Sequence, residues 1–260
     1  MKTFLTDLHV HSDFSDGTLS IPEVVDLFGS RGFGAISITD HICEEGTLIG
    51  KAARYINQTL TRATWPIYME ILHSEARRAW AKWSMVVIPG FELSKNSVSN
   101  RRSAHILGIG VNDFLQADGD APELTSGIRA QGALAVAAHP VNTRKMEKQT
   151  YHLWDRREEL RDCFDAWEVA SGPYLFDEVA ETTLPKLATS DLHRASQMTS
   201  WKTLMSCERD QAAILQAVRD QRLSFVFYND EGRTHDDPRR LVSGHPGRGA
   251  FDHGRRNLAG

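Results

Sequence analysis

The chain of 260 residues carries a formal net charge of −4 at pH 7 and a pI near 6.3, which argues against a generic polyanion-binding surface. No apolar run approaches the roughly 20 residues of a membrane span, and the chain opens directly in a strand without a signal-peptide pattern. Three scattered cysteines, Cys43, Cys163 and Cys207, fit a reducing cytosol better than a disulfide framework, so a soluble cytoplasmic protein with one sizeable core is expected.

The first element is a short apolar-rich strand ending in His9-Val10-His11. Strand side chains repeat every second residue, so both imidazoles share a face. Asp16 follows in the turn Ser15-Asp16-Gly17. A helix then starts at Ser20-Ile21-Pro22-Glu23, where an N-cap Ser, an early Pro and a Glu three residues on form a capping box. Val24, Val25, Leu27 and Phe28 supply its buried face. Residues 35–39 read as a second strand running into Asp40-His41. Residues 47–84 read as helical, broken near Trp65-Pro66, with Tyr68, Leu72, Ala76, Ala79 and Trp83 at helical spacing. The aromatic stripe of Tyr68, Trp80 and Trp83 is taken as core, Arg77, Arg78 and Lys82 as a solvated face, and His73 as a surface residue.

A strand over 85–91 ends in Glu92, and the next opens at Ala104-His105. A short helix over 122–131 leads to a strand ending in His139-Pro140. Residues 165–169 form a further strand whose Glu168 has two open roles, support for a metal site or a structural ion pair. Residues 186–190 end in Asp191-Leu192-His193, a second i, i+2 pair; a helix over 210–221 and a strand over 224–228 follow. Strands separated by helix-length segments are the pattern of a βα barrel, whose functional residues sit at the strand carboxyl ends. Residues 229–260 hold six Gly, two Pro and six Arg with few large apolar side chains, so a mostly disordered tail is expected, with His235, His245 and His253 as bystanders.

His9-x-His11 with Ser15-Asp16-Gly17, Thr39-Asp40-His41, Pro89-Gly90-Phe91-Glu92, Ala138-His139-Pro140 and Ser190-Asp191-x-His193 resemble, in order, the motifs of the PHP (polymerase and histidinol phosphatase) family of metal-dependent phosphoesterases. The resemblance implies an α/β fold, a distorted (β/α)7 TIM-like barrel, here one domain over residues 1–228 with a helical insertion at about 47–84, before Glu92. It implies two or three divalent metal ions. His9, His11, Glu92 and Asp191 would hold one; Glu92 would bridge to a second held by His105 and His139; Asp16, His41 and His193 would hold a third. Members acting on nucleotides commonly carry their helical insert between the strands of His105 and His139, so the mouth here is expected to be walled differently.

The chemistry of the donors points the same way. The pool is six His and three carboxylates with no Cys, and imidazole with carboxylate suits Mn, Zn or Fe. Several dications among three carboxylates leave a positive surplus that attracts an anion, phosphate esters above all. The expected reaction is phosphate-ester hydrolysis by a metal-activated hydroxide, on a phosphomonoester or a short phosphodiester end. Glu92, Asp191 and His193 are the catalytic candidates, with Asp40 as a base or an orienting group beside His41. Arg194, then Arg101 and Arg102, are the candidates for substrate phosphate. The expected partner is a small phosphorylated substrate, a nucleotide or oligonucleotide end included, with no membrane and no obligatory protein partner. Two rival readings are a non-catalytic metal-binding sensor or scaffold and an amidohydrolase-like enzyme cutting C–N or ester bonds. The absence of a Lys at a strand end, able to carry a bridging carbamate, counts against the second.

Overall fold

A computed structural model describes residues 3–46, 51–52, 58–95, 104–141, 151–230 and 241–242. The strands are β1 (Phe4–Val10), β2 (Ala35–Ile38), β3 (His41–Cys43), β4 (Val86–Lys95), β5 (Ala104–Ile109), β6 (Leu134–Ala137), β7 (Ala166–Ser171), β8 (Tyr174–Leu175), β9 (Lys186–Thr189), β10 (Ser200–Met205), β11 (Leu223–Tyr228) and β12 (Leu241–Val242). They form one mixed sheet in the order β12-β11-β10-β1-β2-β4-β5-β6-β7-β8, with β3 also on β4 and β9 also on β7. Every residue of β1 is buried, as befits a strand lying between β10 and β2. The sheet curls until β9 meets β1 and β10. A single parallel bridge, Val10 to Leu192, and a hydrogen bond from Ala188 N–H to Thr203 Oγ1 (3.1 Å) join the two sides. The architecture is a mixed α/β fold around a curled sheet.

Not all neighbours are parallel. β1–β2, β2–β4, β6–β7 and β7–β9 run parallel, whereas β4–β5, β5–β6, β1–β10 and β10–β11 run antiparallel. This explains why His105 stands near the start of its strand. Since β5 reverses against β4, its amino end lies beside the carboxyl end of β4, and Ser94 pairs with His105. The ligand is still delivered to the carboxyl-end face.

The helices are α1 (Ile21–Gly29), α2 (Trp65–Trp83), α3 (Ala121–Arg129), α4 (Tyr151–Asp155), α5 (Arg157–Leu160), α6 (Asp177–Ala180) and α7 (Gln211–Arg219). In α1 the capping box is in place: the Ser20 N–H donates to the Glu23 carboxylate at 2.8 Å, and Ile21, Val24, Val25 and Phe28 are buried. The insertion before Glu92 contains α2. Pro66 opens this helix rather than breaking it, because a first-turn proline lacks only an N–H that has no intrahelical partner there. α2 packs on α1 and β4 through Trp65, Tyr68, Met69, Leu72 and Ala79, and ends where Ser84 takes a left-handed conformation. Residues 47–50 and 53–57 of the insertion lie outside the described residues.

The aromatic stripe of α2 divides. Tyr68 is fully buried, with its hydroxyl near the carbonyls of Ile38 (2.9 Å) and Gly90 (3.0 Å), whereas Trp80 is 52% exposed. Nor is Arg78 merely solvated, since it reaches Asp26 (2.7 Å) across to α1. β8 and the short helices α4, α5 and α6 were not legible in the periodicity. Of the expected tail, Asp230 pairs with Arg31 at 2.7 Å and Leu241–Val242 adds a strand to β11; residues 231–240 and 243–260 lie outside the described residues. Among the described residues no helix is long and apolar enough to cross a membrane.

Candidate metal centre

The carboxyl-end face gathers all nine ligand candidates. β1 ends in His9 and His11, both without exposure, and β4 carries Glu92, also without exposure. Parallel register sets His41 beside Glu92. Glu92 is the hub: its Oε2 lies 3.4 Å from His9 Nε2, 3.4 Å from His11 Nε2 and 3.0 Å from His41 Nδ1. Its Oε1 lies 3.0 Å from His105 Nδ1 and 3.2 Å from His139 Nε2. Asp191 Oδ1 lies 3.2 Å from the Nε2 of both His9 and His11. On the outer side, Asp16 Oδ1 is 3.2 Å from His193 Nε2 and 3.5 Å from His41 Nε2.

These donors fall into four overlapping groups, each with its donor atoms within 4.8 Å of one another: His9, His11 and Glu92; His9, His139 and Asp191; Glu92, His105 and His139; and His11, Asp16, His41 and His193. The grouping differs in detail from the one the motifs implied. His11 also faces the outer cluster, and His139 also faces Asp191.

The residues fit divalent cations on two physical grounds. Both Glu92 oxygens are fully buried and accept no hydrogen bond, a state that is costly for a carboxylate unless a cation stands among the surrounding nitrogens. The second ground is His9. Its Nδ1 lies 2.8 Å from Glu168 Oε1, so that nitrogen bears the proton and donates it. Its Nε2 then presents a lone pair toward His11 Nε2 (3.0 Å) and two carboxylate oxygens. Acceptors converge there and favour a positive charge: burial opposes it, but Asp191, Glu168 and Glu92 raise the His9 pKa well above its ordinary value.

The electrostatics agree. Burial opposes ionisation of Glu92, but His105, His9 and His41 hold its carboxyl well below the usual range. Asp191 is depressed likewise, with His9, His11 and His139 overcoming burial. Burial, then the neighbouring His41 and His193, lowers His11 to about 3, which keeps its imidazole neutral and able to ligate.

Two of the candidate ligands sit on strained backbone. His139 has φ 25° and Asp191 φ 51°, left-handed values that side-chain-bearing residues avoid, and His139 also precedes Pro140, which restricts it further. Such strain persists only where surrounding contacts enforce it. For His139 the backbone N–H donates to Glu168 Oε2 at 2.6 Å; for Asp191, the preceding Ser190 donates N–H and Oγ to Asp7 at 3.1 and 2.5 Å. Asp7 in turn meets Lys202 Nζ at 2.6 Å.

Asp40 does not face the donors. Its carboxylate accepts from Ser12 N–H (2.9 Å), Ser12 Oγ (2.6 Å) and Ser15 Oγ (2.5 Å), and burial raises its pKa. It therefore orients the turn that carries Asp16, and the base role has no geometric support. Arg194 is exposed beside His193, while Arg101 and Arg102 lie outside the described residues. The centre opens to solvent on one side, through Asp16 (36% exposed), Asp191 (28%) and His193 (24%).

Asp7 and Lys202 are not among the candidates read in the sequence, whereas Glu168 takes up the first of its two open roles, beside His9 and His139. The available signal was a charged residue inside an otherwise apolar, buried strand, as Glu168 stands among Trp167, Val169 and Ala170.

Residues 7–109 match the model of the PHP domain. Over that stretch the chain is similar to the PHP domain. The matched stretch holds His9, His11, Asp16, His41, Glu92 and His105; His139, Asp191 and His193 lie beyond it and reach the same centre from the ends of β6 and β9. No curated protein matches the chain. Among solved structures, the fold is similar to a two-domain Bacteroides vulgatus protein containing a predicted PHP-like metal-dependent phosphoesterase, with TM-score 0.64 and 23% identity over 87% of this chain. This chain spans 65% of that protein's length. It is also similar to PsfC of Pseudomonas syringae, with TM-score 0.58 and 18% identity over 88% of this chain and 93% of PsfC. A third likeness is to an amidohydrolase of Chromobacterium violaceum, with TM-score 0.52 and 16% identity over 87% and 99% of the two chains.

Proposed function

We propose that the protein is a phosphoesterase that hydrolyses a phosphomonoester or a short phosphodiester end at a centre of two or three divalent cations, Mn, Zn or Fe. The observation that carries this reading is the buried Glu92 carboxylate, which accepts no hydrogen bond and is faced by five imidazoles. The similarity of residues 7–109 to the PHP domain supports it. His9, His11, Glu92 and Asp191 would hold one ion, Glu92, His105 and His139 a second, and Asp16, His41 and His193 a third. Bound there, the ions supply hydroxide at neutral pH and neutralise charge on the transferring phosphoryl group.

The chain's own residues account for the rest. Glu92 and Asp191, both held ionised, keep the donor set anionic. Asp16, Asp191 and His193 form the open rim, so an ester approaches from that side with Arg194 within the same loop. Arg194, Arg101 and Arg102 are the proposed phosphate contacts. A distorted (β/α)7 barrel over residues 1–228 goes with the curled sheet, and a cytoplasmic setting with the three free thiols.

The test is hydrolysis of a panel of aryl phosphate, nucleotides, sugar phosphates, short oligonucleotides and cyclic amides, with Mn, Zn and Fe. Wild type is run beside Glu92→Gln and Asp191→Asn. Metal-dependent phosphoester turnover lost in both variants is the expected result. Turnover of the amides instead would give the C–N hydrolase reading, and tight metal binding without turnover the sensor reading.

A further inference from the structure

We infer that Glu168 is a positioning residue for the metal centre, one carboxylate that sets both the ligating nitrogen of His9 and the geometry of three ligand-bearing segments. The inference rests on the reading of the site as a metal centre. Glu168 lies in mid-β7, without exposure, and meets three hydrogen-bond donors. His9 Nδ1 is 2.8 Å from Oε1, Thr189 Oγ1 donates to the same oxygen at 2.6 Å, and the His139 N–H donates to Oε2 at 2.6 Å. Those donors belong to the end of β1, the end of β9 two residues before Asp191, and the residue two past the end of β6.

The three segments deliver His9, His139 and Asp191, which together form one of the donor groups. Two consequences follow from the chemistry of a carboxylate, which only accepts. First, it fixes the proton of His9 on Nδ1 and leaves Nε2 bare toward the cation, the usual arrangement of a carboxylate behind a ligating histidine. Second, it holds the His139 backbone at its left-handed φ of 25°, since the N–H is anchored from β7.

Glutamine at 168 has the same shape but a single acceptor oxygen, and its amide N–H2 must face at least one of the three donors. Either the His9 tautomer reverses and Nε2 gains a proton, or the His139 N–H loses its partner. Replacing a carboxylate that served only to stabilise the fold would lower thermal stability in both the free and the metal-loaded protein while leaving affinity unchanged.

The experiment is competition of Mn and Zn against a chelator, on wild type and Glu168→Gln, with the unfolding temperature of each metal-free protein recorded alongside. Weaker binding in the variant by about 10- to 100-fold, in a protein that still unfolds cooperatively, is the expected result. Equal affinity in the two proteins overturns the inference, and a wild type that binds neither metal overturns the metal-centre reading with it. The Zn-loaded wild type gives an answer that does not depend on the variant folding. Its ¹⁵N imidazole signals should show His9 protonated at Nδ1 and bare at Nε2, and the opposite tautomer overturns the inference.

Discussion

Lys202 Nζ lies 2.6 Å from Asp7 Oδ2, and neither side chain has any exposure to solvent. Asp7 sits two residues before His9 on β1, and Lys202 faces it from β10. The pair is completed by Ser200 Oγ at 2.9 Å from the ammonium and by Ser190, which donates twice to Asp7. Burial pulls the Lys202 pKa down, and the neighbouring Asp7 opposes that shift. A buried pair satisfied in this way costs little to keep but much to halve.

Lys202→Met leaves the Asp7 carboxylate buried without its cation. The expected loss is about 3–5 kcal/mol of stability, read from denaturant unfolding of the metal-free protein. A double change, Asp7→Asn with Lys202→Met, should recover part of the loss, because no net charge then remains inside. A single variant as stable as wild type would show that water or another group compensates the carboxylate.

Removal of the metal should destabilise the protein. The donors crowd carboxylates and lone pairs that only a cation reconciles, so ligand binding and folding are linked. With free metal at about a hundred times its dissociation constant, the stabilisation is about 2.7 kcal/mol for one site. Calorimetric scans with a chelator, then after Mn or Zn is restored, should show the unfolding temperature fall and return. A transition indifferent to both additions would count against the centre.

Asp40→Asn should act on the outer cluster. Asp40 accepts three hydrogen bonds from Ser12 and Ser15, and those residues carry the turn that sets Asp16 near His193 and His41. An amide keeps the size but has one acceptor fewer. Metal titration should show weaker occupancy of the weakest site, by about tenfold, with the ion gripped by Glu92 retained. Loss of all ions together would assign Asp40 a wider role than the turn.

Gly90→Ala should displace Glu92. A Cβ at position 90 would stand 2.7 Å from Thr39 Cγ2, 2.8 Å from Ser37 Oγ and 3.0 Å from the Gly108 carbonyl oxygen. These contacts come from β2 and β5 on either side of β4, so the strand has no free direction to shift. The expected cost is about 1–3 kcal/mol in unfolding experiments, accompanied by weaker metal binding. Unchanged affinity at reduced stability would separate the strand packing from the placement of Glu92.

Most of the candidate ligands are legible in the sequence because they are announced locally. The i, i+2 histidines His9 and His11 share a face by strand geometry, so that pair needed no tertiary information, whereas Asp191 and His193 lie past the end of β9 with Asp191 in a left-handed conformation. Capping residues did the same for α1, where Ser20 and Glu23 mark the start. Such features depend on residues a few positions apart, and the amino-acid order contains them.

Only the tertiary structure decided what depends on distant partners. That His105 stands at a strand's start and still joins the centre follows from the antiparallel pairing of β4 and β5, which no local pattern encodes. Glu168 looked like either of two things until its three donors, drawn from three other segments, were in place around it. Lys202 and Trp80 show the same limit from opposite sides, a charge fully buried because Asp7 faces it and an indole left half-exposed on the outer face of α2. Hydrogen bonds and burial are set by which segments meet, and in a curled sheet the meeting segments are those the chain order keeps far apart.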